Sequence, residues 1–451
     1  MNAWRLAVRN LRRNRRRNAA TLLAITLGYA GLVLFGGYIA RIELFLRTNT
    51  VYLQHGGHVS VYAEGGLEGA LARPARHSLD PAAQQRVLEA AAADPRVAFA
   101  ARYMRGMGLA GNGCRTVPFV ATGVEPEPFG RILRHPDVQY VSAEFARPVR
   151  GRPLPDASEV EGAVGVATGL ARLLNKPRVH DEVRGVPVTL LPDCGTPEAG
   201  EQIAADANIQ LAAVTFGGAL SAIDGEIVNL FQTPSAETQD QTILTTLGTL
   251  QRLYETDAVT YVGVFLHDPG RAAAVAGDLA ERLRAGGLRV DVYPFTDSRV
   301  SPHYVGAMGF LGSLLVFVGT LVTAVVILGV LNSVTLTVYE RTREIGTFRA
   351  LGWRRRQVAA LFLREAVLLS LAGLVCGALL TLVVATAVNS ANIRFQPPGI
   401  PGDIQLVLWP LPGVYATVAL LLLPLASLVT WGVARRRVRG RTADLLTATA
   451  A

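Results

Sequence analysis

Lysine is almost absent from this chain of 451 residues, in which Lys176 is the only one. A P-loop requires a lysine directly after its glycines, followed by serine or threonine, because the ammonium group binds the terminal phosphates. Lys176 follows Asn175 and precedes Pro177. The sequence therefore excludes ATP hydrolysis at a P-loop in these residues, and we expect any ATPase that drives the chain to be a separate polypeptide.

Other enzyme signatures are also missing. The sequence has no Gly-x-Ser-x-Gly elbow, no His-Glu-x-x-His and no Gly-x-Gly-x-x-Gly after a predicted strand. His55 and His58 have a His-x-x-His spacing, but Gly56 and Gly57 disfavour a helix there, and no acidic or cysteine ligand is close in sequence. We expect a turn rather than a metal site, and neither catalysis nor a directly bound cofactor.

Charged residues are scarce, at 18% against 50% hydrophobic residues, and the mean hydropathy is +0.30. Soluble domains contain about 25% charged residues. Residues 305–338 and 366–393 contain no Asp, Glu, Lys or Arg, and each run exceeds the roughly 20 residues that a helix needs to cross a bilayer. The composition therefore predicts a membrane protein.

Four spans are predicted, at residues 19–40, 305–338, 358–388 and 406–434. Residues 41–303 contain no run of that length and have the composition of one large soluble domain or two small ones. Arginine clusters flank the apolar runs, which places residues 1–18, the segment 339–357 and the C-terminal tail in the cytoplasm. The net charge of +9 is thereby explained by topology, and we expect no nucleic-acid partner.

Two interpretations of residues 1–18 stay open. Trp4, Val8 and Leu11 have the spacing of a helix that lies in the membrane interface, whereas the seven arginines among these residues also suit a simple cytoplasmic flank. The apolar run after them is too long for a typical signal peptide, so we expect an uncleaved first span.

Local patterns predict a sheet covered by helices within residues 41–303. Strands are expected at 58–64, within 114–127, and at 183–191, 211–220, 227–231, 259–266 and 288–295. Helices are expected at 164–174, 238–253 and 271–284, and from Pro81 to Ala93 with Asp80 as N-cap. Cys114 and Cys194 both lie in this region, where an oxidising compartment would permit a disulfide. Cys376, in the third span, is expected to be a packing residue.

The charged segment 339–357 lies between two uncharged runs. Arg341 and Glu344 are spaced to pair on a helix, and Gly352 can end it. Ile345, Phe348 and Leu351 are three residues apart and could face a groove on a partner. Glu365 enters the third span next to Arg364, and we expect it to pair with an arginine or to reach the interface.

This segment resembles the signature of FtsX-type permeases, the membrane subunits of MacB-like and Lol-like ABC systems. The stretch around the first span is similar to the same family. The resemblance implies a coupling helix that docks on an ATPase, formed by Glu340, Arg341, Glu344, Ile345, Gly346, Phe348, Arg349, Ala350 and Gly352. It also implies the fold class, an α-helical membrane protein of four transmembrane helices with a large mixed α/β extracytoplasmic domain of the MacB periplasmic core type.

The resemblance further implies an assembly and a mechanism. Two such subunits, identical or related, would work with separate ATPases in a bacterial cytoplasmic membrane, and ATP would act only through those partners. ATP hydrolysis by the partners would move the extracytoplasmic domain. This movement would serve extraction of lipoproteins or lipids, or export of a peptide or drug. The partners would be membrane lipids and a periplasmic adaptor or lipoprotein carrier. The alternative is a non-transporting regulator whose outer domain activates a cell-wall hydrolase.

Overall fold

The computed structural model describes residues 15–184, 194–396 and 403–437. The predicted interfacial helix before residue 15, most of the strand predicted at 183–191 and the arginine-rich tail after residue 437 lie outside them. The described chain forms two compact units. A helical unit lies within Met1–Glu43, Met308–Phe395 and Ile404–Ala451, and a mixed α/β unit lies within Leu44–Ala307 and Gln396–Asp403.

Four helices are long and apolar enough to cross a membrane. We call them the first to fourth spanning helices, and they run over Arg15–Thr48, Pro302–Glu340, Arg355–Ser390 and Pro412–Arg437. The first continues as one turn of π-helix, Asn49–Leu53. The prediction of four apolar spanning helices joined to a large mixed α/β domain is confirmed.

The fourth spanning helix begins later than the predicted residue 406. Ile404–Gln405 instead pairs with Arg394–Phe395 as a short hairpin, and the backbone N–H of Leu408 donates to Asn389 Oδ1 at 2.9 Å. Proline cannot donate a backbone hydrogen bond and disfavours a helical residue before it. Pro410 and Pro412 therefore delay the helix, which starts with Pro412.

Small residues let the spanning helices approach one another closely at some positions. A Cβ on Gly28 would lie 2.2 Å from Val326 Cγ2, and one on Gly37 would lie 2.3 Å from the Trp409 carbonyl oxygen. The apolar core between the helices is centred on Ile25, Tyr29, Val33, Val326, Val330, Leu374, Leu422 and Ala426. By contrast, a Cβ added to Gly306, Gly309 or Gly312 would meet no atom of the described chain within 4 Å.

Two strands from the beginning of the α/β unit and two from its end form one four-stranded sheet. Its strands are β1 (Val59–Ala63), β2 (Val97–Gly111), β9 (Tyr261–Leu266) and β10 (Val290–Pro294), in the order β10-β1-β9-β2 with every neighbour antiparallel. Helix Pro81–Ala92 joins β1 to β2, and helix Ala272–Ala285 joins β9 to β10. This is the split β-α-β arrangement of ferredoxin-like folds.

Local signals locate these elements well. The Asp80 side chain accepts from the Ala83 backbone N–H at 2.7 Å, with Pro81 in the first helical position, as predicted for the N-cap. Every residue of β9 is buried, which agrees with its unbroken apolar sequence. The predicted strand–helix–strand unit at 259–295 is confirmed.

The residues between β2 and β9 extend the same sheet. The added strands are β3 (Thr116–Val124), β4 (Arg150–Gly151), β5 (Ala163–Ala167), β6 (Asn208–Val214), β7 (Leu220–Phe231) and β8 (Thr242–Thr246). They continue from β2 in the order β3-β8-β5-β7-β4, with β6 against β2 and β7. The pairs β3–β8 and β5–β7 are parallel.

Short helices cover this sheet. They are Gly66–Gly69, Pro74–His77, Pro126–Leu133, Pro136–Val141, Ala143–Ala146, Thr168–Leu173, His180–Val183, Pro197–Ala205 and Leu247–Tyr254, with 3-10 turns at Leu154–Ala157, Ala236–Thr238 and Pro269–Arg271.

Three predicted elements change type partway. The helix expected at 164–174 begins as β5, and the one expected at 238–253 contains β8 before its helix starts at Leu247. Short apolar runs fit a buried strand as well as a helix, so the period alone does not decide between them. The strand expected at 211–220 ends at Val214, because Thr215–Ala219 forms a turn in which Gly218 has φ +86°.

Candidate functional site

A short helix joins the second and third spanning helices. The second spanning helix ends at Glu340, Arg341 leaves helical geometry at φ −97° and ψ 19°, and Thr342–Ala350 forms the new helix, which we call the connecting helix. The Thr342 hydroxyl donates to the Tyr339 carbonyl oxygen at 2.6 Å. This bond occupies a carbonyl group that the helix break leaves without its normal partner.

The connecting helix ends in a Schellman motif. Gly352 has φ +89°, a left-handed conformation that costs an L-residue about 1–2 kcal/mol and glycine almost nothing. The Trp353 N–H donates to the Phe348 carbonyl at 3.0 Å, and the Gly352 N–H to the Arg349 carbonyl at 3.1 Å. The rings of Phe348 and Trp353 lie 5.0 Å apart, which is the apolar contact that accompanies this motif.

One face of the connecting helix packs inside the chain. Ile345 is 1% exposed and belongs to a cluster with Val338, Val358, Phe362 and Ala434. The expectation that Ile345, Phe348 and Leu351 face a partner together is therefore corrected. Ile345 is buried in this core and Phe348 lies against Trp353, whereas Leu351 is 73% exposed.

Arg341 links three parts of the segment. Its Nη1 donates to both carboxylate oxygens of Glu365 at 2.9 and 3.0 Å, and its Nε donates to Glu344 Oε2 at 2.6 Å. The side chains of Arg341 and Glu365 are each 10% exposed, and the guanidinium carbon lies 5.2 Å from the centre of the Phe362 ring. The break between two helices is thereby tied to the third spanning helix.

Glu365 was expected to pair with an arginine or to reach the interface. The arginine is Arg341, 24 residues earlier. The sequence gave no local signal for this pair, because the two residues are 24 positions apart and several other arginines lie between them.

The opposite face of the connecting helix is open. Glu340, Arg343, Glu344, Thr347, Ala350, Leu351, Gly352 and Arg354 to Arg356 are exposed, and we call them the connecting surface. Of the other residues that the resemblance singles out, Gly346 is buried and Arg349 is half-buried. The connecting surface combines a cationic patch with one large apolar side chain, which suits a protein partner better than a small ligand.

The remaining candidates lie in the α/β unit. Cys114 and Cys194 form a disulfide with a Cα–Cα distance of 5.4 Å. His58 Nδ1 accepts from the Leu266 backbone N–H at 3.0 Å, and the His55 ring stacks on Tyr103 at 5.4 Å. Among the described residues, no group of three or more His, Cys, Asp or Glu is arranged to hold a metal ion.

One family of known proteins matches residues of the helical unit. The family described as FtsX-like permease C-terminal matches residues 316–442. "Pyoverdine export ATP-binding/permease protein PvdT" of Pseudomonas putida is 44% identical over 77 residues, which are 17% of this chain and 12% of that protein. "Macrolide export ATP-binding/permease protein MacB" of Bordetella avium is 44% identical over 81 residues, 18% of this chain and 12% of that protein.

Two solved structures each cover about half of this chain. The periplasmic region of MacB from Actinobacillus actinomycetemcomitans is 10% identical, with 53% of this chain and 89% of that chain covered and a TM-score of 0.32. The extracellular domain of YknZ, a noncanonic ABC-type transporter from Gram-positive bacteria, is 12% identical, with 52% and 98% covered and a TM-score of 0.30.

Proposed function

We propose that this chain, an FtsX-like permease over residues 316–442, is the membrane subunit through which a separate ABC ATPase moves an extracytoplasmic domain. The observation that carries the proposal is the connecting helix. It lies between two span-length helices, buries one face in its own core, and exposes the other. In this arrangement the cytoplasmic ends of the spanning helices, and both chain termini, face the ATPase.

The contacts of the connecting helix supply the mechanical link. A force on the connecting surface reaches the third spanning helix through the core around Ile345 and Phe362 and through the Arg341–Glu365 pair. It reaches the second spanning helix directly at the break beside Arg341. Packed cores transmit displacement because they are dense and have low compressibility. ATP binding by the partner would therefore shift the two helices together.

In this proposal the cargo is a lipid, lipoprotein, peptide or drug, which is exported or extracted on the outer side of the membrane. By their printed names, two relatives that match 17% and 18% of this chain export pyoverdine and macrolides. A second copy of this subunit, or a related one, would complete the assembly. ATP would be bound by the partner ATPase.

Co-purification tests the proposal. The tagged full chain is extracted from its native membranes in mild detergent, and the proteins that accompany it are identified by mass spectrometry. Arg343→Glu and Leu351→Arg change only exposed positions of the connecting surface, so we expect each to reduce the recovered ATPase at least about tenfold without loss of permease. The reason is that charge reversal and a lost apolar anchor weaken a protein interface.

Arg289→Glu, at an arginine of the α/β unit whose side chain is 88% exposed, is the matched charge-reversal control and should retain the ATPase. If no ATPase accompanies the unmodified chain even after crosslinking, the proposal is wrong. Equal recovery with all three variants would remove the connecting surface as the contact.

A further inference from the structure

The α/β unit contains a cavity of about 370 Å³, within the range of small-molecule sites. Its floor is one face of the extended sheet. Arg105 on β2 lies opposite Thr122 on β3, and Thr122 lies opposite Leu244 on β8. Val120 and Thr242 form the next pair on this face two residues away, because side chains alternate between the faces of a strand. The register of three strands thus builds the floor.

Apolar side chains from the covering elements form most of the remaining wall. Phe129 and Leu133 come from helix Pro126–Leu133, Phe145 from helix Ala143–Ala146, and Leu154 from the 3-10 turn after β4. Phe231 at the end of β7 adds a further ring. Such a wall suits a ligand with a substantial apolar body.

The floor also carries a positive charge without a counter-ion. The Arg105 guanidinium lies 5.6 Å from the centre of the Tyr261 ring, and its Nη2 lies 3.5 Å from the Gln54 carbonyl oxygen. Within the described part of the chain, no carboxylate forms an ion pair with Arg105 or with Arg147, which also lines the cavity. Glu237 is the acidic residue among the lining side chains. The net charge of the lining side chains is therefore positive, which favours an anionic ligand.

A buried histidine beside Arg105 is also incompletely bonded. His55 is 6% exposed, has φ +61°, and lines the cavity with its ring between Tyr103 and Phe129. Its Nδ1 has no hydrogen-bond partner among the residues that the structure describes. Burial, and then the charge of Arg105, lower the pKa of His55 to about 3, so the ring is neutral at pH 7. Unpaired buried polar atoms are uncommon in folded proteins and are frequent at functional sites.

We propose that this cavity binds a small anionic amphiphile, an acyl chain with a carboxylate or phosphate head, whose head group is held by Arg105 and whose chain lies against Phe129, Phe145, Leu154 and Phe231. Arginine matches such heads through two parallel hydrogen bonds. The inference does not rest on the coupling contact, because it concerns only the α/β unit and needs no ATPase.

Photo-crosslinking tests the site in the full chain, reconstituted in nanodiscs of zwitterionic lipid. The probe is dodecanoate with a diazirine near its chain end, and the matched probe is the same chain with an alcohol head. Labelled peptides are mapped by mass spectrometry. We expect the carboxylate probe to label peptides that contain the lining residues, and the alcohol probe to label them about tenfold less.

Competition identifies the head group. Excess dodecanoate or excess dodecyl phosphate should suppress the labelling, and the better competitor shows which head the site prefers. Dodecylamine should not suppress it, since Arg105 repels a cation.

Three variants locate the contact. Arg105→Gln should reduce labelling about tenfold and Arg105→Lys should restore part of it, whereas Arg289→Gln, at an arginine that is 88% exposed and outside the lining, should leave it unchanged. Thr122→Phe should abolish labelling by filling the floor. A second readout is thermal unfolding, since dodecanoate should raise the melting temperature of the unmodified chain and of Arg289→Gln, but not that of Arg105→Gln or Thr122→Phe.

Two outcomes overturn the proposal. Labelling confined to the spanning helices would mean that the probe only dissolves in the bilayer. Equal labelling by the two probes, with no effect of Arg105→Gln, would remove the recognition of an anion.

Discussion

Arg341 lies at the break between two helices. Its side chain donates hydrogen bonds to two carboxylates and lies over an aromatic ring. Charges at a membrane boundary are expensive unless they are paired. The pair with Glu365 therefore contributes more to stability than the helical pair with Glu344, for which about 0.2–0.5 kcal/mol is typical. It fixes the angle at which the connecting helix leaves the second spanning helix.

Removing either partner of this pair should be costly. We expect Arg341→Gln and Glu365→Gln each to destabilise the chain by about 3–5 kcal/mol, because each removes one partner of a buried ion pair. The double variant should be more stable than the sum of the two losses predicts, since both charges are then gone. The measurement is thermal unfolding of the purified full chain in one lipid composition. Strictly additive losses would contradict a direct pair.

The connecting helix is short and depends on its two ends. Thr342 bonds the last turn of the preceding helix, and the Schellman motif at Gly352 closes the other end. Between them, Ile345 and Gly346 are buried. An isolated helix of nine residues is unstable in water, so this one persists through its ends and its core contacts.

Gly352→Ala should loosen this element, because its φ of +89° then costs about 1–2 kcal/mol. Hydrogen–deuterium exchange of the full chain should show faster exchange of the amides from Thr342 to Ala350. Gly432→Ala is the matched control, since Gly432 lies within the fourth spanning helix and an added Cβ meets no atom within 4 Å in the described chain. Unchanged exchange in Gly352→Ala would show that the core alone holds the helix.

The whole molecule combines a membrane-spanning helical unit with an α/β unit that contains the disulfide. Disulfides persist in oxidising compartments, which agrees with an α/β unit on the outer side of the membrane. The two units were already distinct in the sequence, because one has long uncharged runs and the other does not.

Cysteine labelling checks this orientation. In intact cells, a membrane-impermeant maleimide should label Cys114 and Cys194 only after treatment with a reductant. The double variant Cys114→Ser/Cys194→Ser should lose that labelling, while Cys376, within the third spanning helix, should remain unlabelled in both. Labelling that requires permeabilised cells would place the α/β unit in the cytoplasm and contradict the proposed topology.

The sequence by itself determined the four spanning helices, the Asp80 cap and the residue at which the connecting helix ends. Each of these depends on local properties, namely uncharged length, a side chain that bonds its own turn, and a backbone conformation that suits glycine.

Only the tertiary structure decided that Ile345 faces inward, that Glu365 binds Arg341, that residues 163–167 and 242–246 are strands, and that Arg105 lies on the floor of a cavity. These features depend on partners far away in the chain. A short apolar run or a single charge contains no information about which distant strand or helix will pack against it, so the local pattern left them open.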